Sequence, residues 1–167
     1  MGMRIVVAAD SAGLEYKEAL KKDLEGDERV DEVIDVGITA GEETDYPHVA
    51  VAGARLIAEG KADRGLFVCG TGMGVAMAAN KVRGIRASVA HDSFSVERLV
   101  LSNNAQVLTF GERVIGLELA RRLASEWLDY TFDPTSSSAP KVAALEEYDR
   151  GDASHDDVAH TCAGEEG

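Results

Sequence analysis

The chain has 167 residues, 45% hydrophobic and 28% charged, a globular balance whose length suits one domain at the usual scale of roughly 100–200 residues. Thirty acidic against seventeen basic residues leave a formal net charge of −13, which argues against a surface for nucleic acid or anionic membranes, since a polyanion needs clustered lysine and arginine. No apolar run approaches the roughly 20 residues of a spanning helix, and the opening residues do not read as a secretory signal, so a soluble cytoplasmic protein is expected.

In chain order, residues 4–10 (RIVVAAD) predict a buried strand that ends on a carboxylate. Residues 13–24 follow with Leu14, Ala19, Leu20 and Leu24 spaced as a helical stripe among lysines and glutamates. A second strand is predicted at 33–36, closed by Gly37, and a second helix at 46–59, opened by Pro47. Residues 65–69 (GLFVC) give a third strand and the alanine-rich 74–82 a third helix. Then come a strand at 85–90, a helix at 93–102, a strand at 105–110 and a long helix at 115–128. Strands that alternate with helices build right-handed βαβ units, and nearly continuous hydrophobic strands fit a sheet covered on both faces. The expected fold is therefore α/β: a doubly wound, Rossmann-like, five-stranded parallel sheet whose ligands lie outside the carboxyl ends of the strands.

Beyond Asp133 the texture changes. Residues 134–140 (PTSSSAP) read as a polar hinge, and 141–148 as a short helical arm. From Glu146 to the end there are eight acids and one arginine, too little apolar content for a core. One domain over 1–149 is expected, with 150–167 a mobile acidic end. Cys162 falls in that end as a bystander, and its setting differs too much from that of Cys69 to suggest a disulfide.

The residues with chemical potential gather at the predicted strand ends. Asp10 closes the first strand, as a helix cap or as a carboxylate that holds a substrate hydroxyl. The third strand runs into Cys69-Gly70-Thr71-Gly72-Met73-Gly74, where glycines let a ligand approach the backbone and successive N–H groups can hold an anion. This loop is not a P-loop, since the lysine-bearing pattern is absent. Nor is it a full dinucleotide fingerprint, because Val75 stands where the last glycine belongs and the loop follows the third strand. Asp92, about 20 residues on, keeps a nucleotide-binding reading open. Cys69 reads as a small core residue or, against that row of amides, as a thiolate base that removes a proton beside a carbonyl. His48 and His91 read as structural or surface residues. No His/Cys/Asp/Glu cluster has metal-ligand spacing.

Taken together, Asp10, Thr44-Asp45-Tyr46-Pro47, Cys69 to Gly74, Ala78-Ala79-Asn80-Lys81, Gly84-Ile85-Arg86-Ala87, Asn103, Gly111 with Arg113, and Val114 to Leu119 resemble the ribose-5-phosphate isomerase B family, which includes the galactose-6-phosphate isomerase subunits. The resemblance runs in order from about residue 4 to 148. It implies aldose–ketose isomerisation of a sugar phosphate through a cis-enediolate, without metal or organic cofactor. By the same resemblance Cys69 is the base, and Thr71 with the amides of Gly70, Gly72, Met73 and Gly74 stabilises the enediolate oxygen. Asp10 and Asn103 bind hydroxyls, Tyr46 lines the pocket, and Arg113 is a phosphate-side cation. A dimer or tetramer with sites shared between copies is also implied, with no nucleic-acid or membrane partner.

The departures carry information too. Ser11 stands where the family usually has a histidine after the first strand, and Ser102 where it has the histidine assigned to ring opening. Near the C-terminus, Ser136 to Ser138 and Lys141 stand in the region of two phosphate-binding arginines. Ribose 5-phosphate has a free 4-hydroxyl and closes to a furanose, whereas erythrose 4-phosphate has that oxygen esterified. An enzyme for a tetrose 4-phosphate needs no ring-opening histidine, so a four-carbon substrate (D-erythrulose 4-phosphate to D-erythrose 4-phosphate) is expected over ribose 5-phosphate. Two readings from other classes stand beside it: a nucleotide-binding module, and a phosphosugar binder without activity, against which the retained Cys69, Asp10 and Asn103 count.

Overall fold

The structure, a computed structural model that describes residues 2–152, contains five strands and six helices, which alternate as far as the fifth helix. They are β1 (Met3–Ala9), α1 (Leu14–Glu25), β2 (Val30–Asp35), α2 (Tyr46–Ala58), β3 (Arg64–Cys69), α3 (Met73–Ala79), β4 (Ala87–Val89), α4 (Ser93–Leu101), β5 (Val107–Gly111), α5 (Leu117–Asp129) and α6 (Ala139–Arg150). All strand pairs are parallel, and the sheet order is β2-β1-β3-β5-β4. The expected doubly wound α/β architecture is borne out.

This order decides which helix covers which face. The steps β1→β2 and β4→β5 move one way across the sheet, while β2→β3 and β3→β4 move the other way. With right-handed crossovers, α1 and α4 must then share one face and α2 and α3 the opposite one. The cores agree. Leu20 and Leu24 of α1, Val96 and Leu99 of α4 and Trp127 of α5 pack with Ile5, Leu66 and Phe110. Val49, Ala54 and Ile57 of α2 and Val75 and Ala79 of α3 pack with Val6, Phe67 and Val107. The reversal of direction at β1 opens a crevice at the carboxyl ends of β1 and β3, where such sheets bind ligands.

Several boundaries differ from the sequence expectation, each for a local reason. β2 begins at Val30 because Asp31 and Glu32 face solvent on an edge strand, which hides its alternation. β4 shortens to Ala87–Val89. There the Asn80 amide holds both backbone groups of Ala87, donating to its carbonyl at 2.7 Å and accepting its N–H at 2.8 Å. Arg86 donates to the carbonyls of Asn103 and Asn104. The two motifs around Asn80 and Arg86 thus fasten the β4 edge. The expected arm is the helix α6, longer than anticipated at both ends. Cys162 and the acidic segment from residue 153 lie outside the described residues.

Lys17 is buried at 1% exposure. Its ammonium donates to both Asp35 oxygens and to the Ile38 carbonyl, each at 2.9 Å, and pairs with Glu18 at 2.9 Å. This ties α1 to the end of β2 and to the loop that leads to Tyr46. Burial pushes the Asp35 carboxyl up, but Lys17, Lys21 and the Gly37 N–H outweigh it, and its pKa ends below the ordinary value.

Candidate active site

Cys69 ends β3, in register with Gly111 at the end of β5. Its side chain is 4% exposed, packed on the α2–α3 face and not bonded to another sulfur. Past it the chain must turn sharply into α3, and Gly72 takes φ +79°, a left-handed conformation that glycine adopts without strain. That turn aims the Gly72 N–H at Cys69 Sγ, 3.2 Å away. Thr71 Oγ1 accepts the Met73 N–H at 3.3 Å, which leaves the hydroxyl hydrogen free to donate outward. The loop therefore brings one backbone donor, the Gly72 N–H, onto the sulfur, with the Thr71 hydroxyl on the same turn.

Neighbouring strand ends brace it. Buried Thr109 on β5 donates through Oγ1 to the Gly72 carbonyl at 2.7 Å. Gly111 lies so close to Thr71 that a Cβ there would fall 2.5 Å from the Thr71 carbonyl carbon. His91, just past β4, accepts the Gly111 N–H on Nε2 at 3.0 Å and stacks on Phe110. Burial pushes the His91 imidazole below its ordinary pKa, with Asp92 opposing. Glu112 accepts the Tyr16 N–H at 3.1 Å, and Tyr16 donates to the Ile115 carbonyl at 2.9 Å, which locks the start of α1 to the β5 turn.

Most of the expected residues meet here. Arg113 lies over Gly70, where a Cβ would sit 3.4 Å from its side chain, and the ring of Tyr46 lies 2.7 Å from a Cβ placed on Gly74. The turn from Asp10 through Ser11 to Gly13 abuts the backbone of Val68 and Cys69. Asp10 does not cap α1; its Oδ1 accepts the Ala12 N–H at 3.0 Å and closes that turn. Ser11 also borders an open cleft of about 460 Å³ shared with Glu43, Thr44, Asp45 and His48. The structure thus gathers near the Cys69 sulfur the Gly72 N–H, the Arg113 side chain against Gly70 and the Tyr46 ring against Gly74.

Asn103 and Lys141 are elsewhere. Asn103 precedes β5, and its carbonyl is held by Arg86 at the amino-terminal edge of the sheet. Cys69 is in register with the last residue of β5, so the two are separated by at least the length of that strand, about 13 Å. Lys141 stands on α6, whose later turns reach Arg86 through Glu146 and Gly84 through Asp149. Asn103 lines a second cleft, of about 530 Å³, along the open edge of β4 with Asn80, Arg86, Ser95, Arg98 and Leu145.

Sequence reasoning passed over Thr109, Glu112, Tyr16 and the Gly111 contact of His91. Each acts through a long-range backbone contact, and only the buried threonine in an apolar strand carried a local signal. Asp92, the residue that kept the nucleotide reading open, is the N-cap of α4 and accepts the Ser95 N–H at 2.8 Å. Its carboxylate is committed to the helix.

Comparison with known proteins places the chain in a family. The ribose/galactose isomerase family model matches residues 5–145. The chain is 62% identical over 143 residues to D-erythrulose-4-phosphate isomerase 2 of Mycolicibacterium smegmatis, covering 85% of this chain and 94% of that one. It is 42% identical over 148 residues to D-erythrulose-4-phosphate isomerase of Pectobacterium atrosepticum, covering 88% and 95%. Among solved structures, ribose-5-phosphate isomerase B of Clostridium thermocellum superposes with a TM-score of 0.84 at 35% identity, covering 90% of this chain and all of that one. The chain belongs to the ribose/galactose isomerase family of sugar-phosphate isomerases.

Proposed function

We propose that the protein interconverts D-erythrulose 4-phosphate and D-erythrose 4-phosphate in the cytoplasm, with Cys69 as the base. The Cys69 thiolate takes the proton from C1 of the ketose. The C–H electrons form the C1=C2 bond, and the carbonyl electrons move onto O2. The charge on O2 falls within reach of the loop amides and the Thr71 hydroxyl, donors preorganised for an oxyanion. The hydroxyl proton of O1 passes to O2, the C1 carbonyl forms, and the Cys69 thiol returns its proton to C2. Asp10 and Tyr46 border the carbon chain, with Ser11 beside them, and Arg113 faces the phosphate. No step needs a metal or an external oxidant.

One observation carries the mechanism: a buried sulfur that receives the Gly72 N–H at the mouth of a glycine loop. The four-carbon choice is supported by Ser102, whose hydroxyl is engaged by Arg98 Nη1 at 3.3 Å and supplies no acid–base group for ring opening. The D-erythrulose-4-phosphate isomerase relatives support it as well. In a coupled assay, kcat/KM for erythrulose 4-phosphate is expected to exceed that for ribose 5-phosphate by at least about tenfold, roughly 1.4 kcal/mol of transition-state discrimination. Equal or faster turnover of ribose 5-phosphate overturns the four-carbon reading and leaves the pentose isomerase.

The same geometry supports a homo-oligomer with shared sites. If Asn103 and Lys141 serve a substrate on Cys69, they serve that of a neighbouring copy. Exposed Met73, Met77, Phe94 and Val114 offer apolar surface for that contact. An active monomer in light scattering at micromolar concentration overturns the assembly.

A further inference from the structure

Beyond the residues placed on the substrate, we propose that His91 is a positioning residue: as a neutral imidazole it holds the Gly111–Arg113 turn, and through that turn it sets how tightly the substrate phosphate is bound. The proposal rests on the functional reading above for the identity of the ligand, but not for the contact itself.

Three observations converge on it. First, Nε2 of His91 accepts the Gly111 N–H at 3.0 Å, a contact that only an unprotonated Nε2 can make. Second, the residue so held is the hinge of the site. Gly111 touches the Thr71 backbone on one side. On the other side its carbonyl accepts the N–H groups of Val114 and Ile115, while Arg113 N–H reaches back to the Gly70 carbonyl at 3.1 Å. A displacement at Gly111 therefore moves the arm that lays Arg113 over Gly70. Third, the imidazole also packs on Phe110, with centroids 6.1 Å apart and planes 26° from parallel.

The charged groups around the ring are committed elsewhere. Asp92 beside it caps α4, Glu112 on the turn accepts from Tyr16, and Glu97 and Arg98 on α4 pair with each other. Arg113 lies over Gly70 and Cys69 receives the Gly72 N–H. Among these, Asp92 is the one that favours the imidazolium, and burial outweighs it. Neutral His91 is thus the form in which the turn is complete, and protonation converts an acceptor into a second donor facing the Gly111 N–H.

The test compares two variants. His91→Phe keeps the ring on Phe110 and removes the acceptor, whereas His91→Gln restores an acceptor at similar reach that does not titrate. For erythrulose 4-phosphate, KM is expected to rise about tenfold in the Phe variant with kcat within about twofold, and to return most of the way in the Gln variant, as for a backbone donor left unpaired beside a binding group. As pH falls through 6, the ratio of wild-type KM to Gln-variant KM should climb. The second ionisation of the substrate phosphate, near pH 6, is common to both proteins and cancels in that ratio. In 15N-labelled wild-type protein the Gly111 amide resonance should titrate with the imidazole, and in the Gln variant it should not. An unchanged KM in the Phe variant, equal impairment of both variants, or a Gly111 amide indifferent to pH overturns the proposal. Should the protein fail to turn over erythrulose 4-phosphate, the functional reading falls by itself. The Gly111 titration and the affinity for inorganic phosphate in the same variants then decide the role of His91.

Discussion

The Gly72 N–H points at Cys69 Sγ across 3.2 Å, so the turn that starts α3 and the sulfur that ends β3 form one unit. A left-handed glycine, a buried strand end and a helix start are all needed to create that contact. Thr109 buttresses it from β5 by donating to the carbonyl of the same Gly72.

Removing the sulfur should separate chemistry from binding. Cys69→Ala is expected to lower kcat by a factor of roughly 10²–10⁴, the usual worth of a general base, with KM within a few-fold and an unchanged unfolding midpoint. Single-turnover exchange of the C1 proton into deuterated water measures the step directly. Near-normal exchange in the variant removes Cys69 from the mechanism.

The proposed sharing of sites between copies makes a complementation result calculable. Cys69→Ala and Asn103→Ala should each be nearly inactive alone. In a co-expressed mixture, half of randomly formed dimers are mixed, and each mixed dimer holds one intact site, so activity should recover to about a quarter of wild type. Recovery absent from a verified mixed oligomer shows that both residues serve the same copy.

Lys17 should act on stability. Its side chain is 1% exposed, with the ammonium among Asp35, Glu18 and the Ile38 carbonyl. Lys17→Met leaves the Asp35 carboxylate without its main partner and is expected to cost about 3 kcal/mol, the scale for breaking a buried pair from one side. Urea unfolding reads this as a lower midpoint at constant slope, and adding Asp35→Leu should regain part of the loss.

Acid should weaken the fold in a defined window. The Asp27 carboxyl, hydrogen-bonded by Arg29, is lowered to about 2, and Asp63, held by Arg4, also lies below its ordinary value. Both are depressed in the folded state, so their contribution is complete above the unfolded carboxylate range near 4 and is lost as pH falls from about 4 toward 2. Thermal midpoints measured from pH 7 to 2 should drop across that interval, and Asp27→Asn should flatten part of the drop.

Chelation is expected to leave activity intact. Among the described residues no three His, Cys, Asp or Glu side chains are gathered as a metal ion would require, and the proton transfer has its own donors. Activity lost in chelator and recovered with a divalent ion, with the coupling enzyme controlled, overturns this.

The legible parts of the fold were those written in contiguous residues. The run 4–10 is apolar because β1 is flanked by β2 and β3, and Cys69 with its glycines is legible because strand, turn and helix follow one another without a break. β2 is only partly legible, because an edge strand carries acids on its open side. Lys17 looked like any charged residue on a helical stripe, since its partners are 18 and 21 residues away. His91 and Thr109 had no motif of their own; what they do depends on which strand ends the sheet order brings side by side. Asn103 was readable as part of a family pattern, but its place at the far edge follows from topology alone.

The sheet order also sets a schedule for synthesis. β5 is the last strand made, yet it lies between β3 and β4. A chain emerging from the ribosome therefore carries β3 with one flank unpaired until residue 111 has been added. That flank belongs to the apolar segment Leu66-Phe67-Val68-Cys69, the kind of naked strand edge that invites pairing with another molecule. Truncation before residue 107 should yield aggregates rather than a smaller soluble domain, and the same insertion that completes the sheet delivers Gly111 and Arg113 to the pocket.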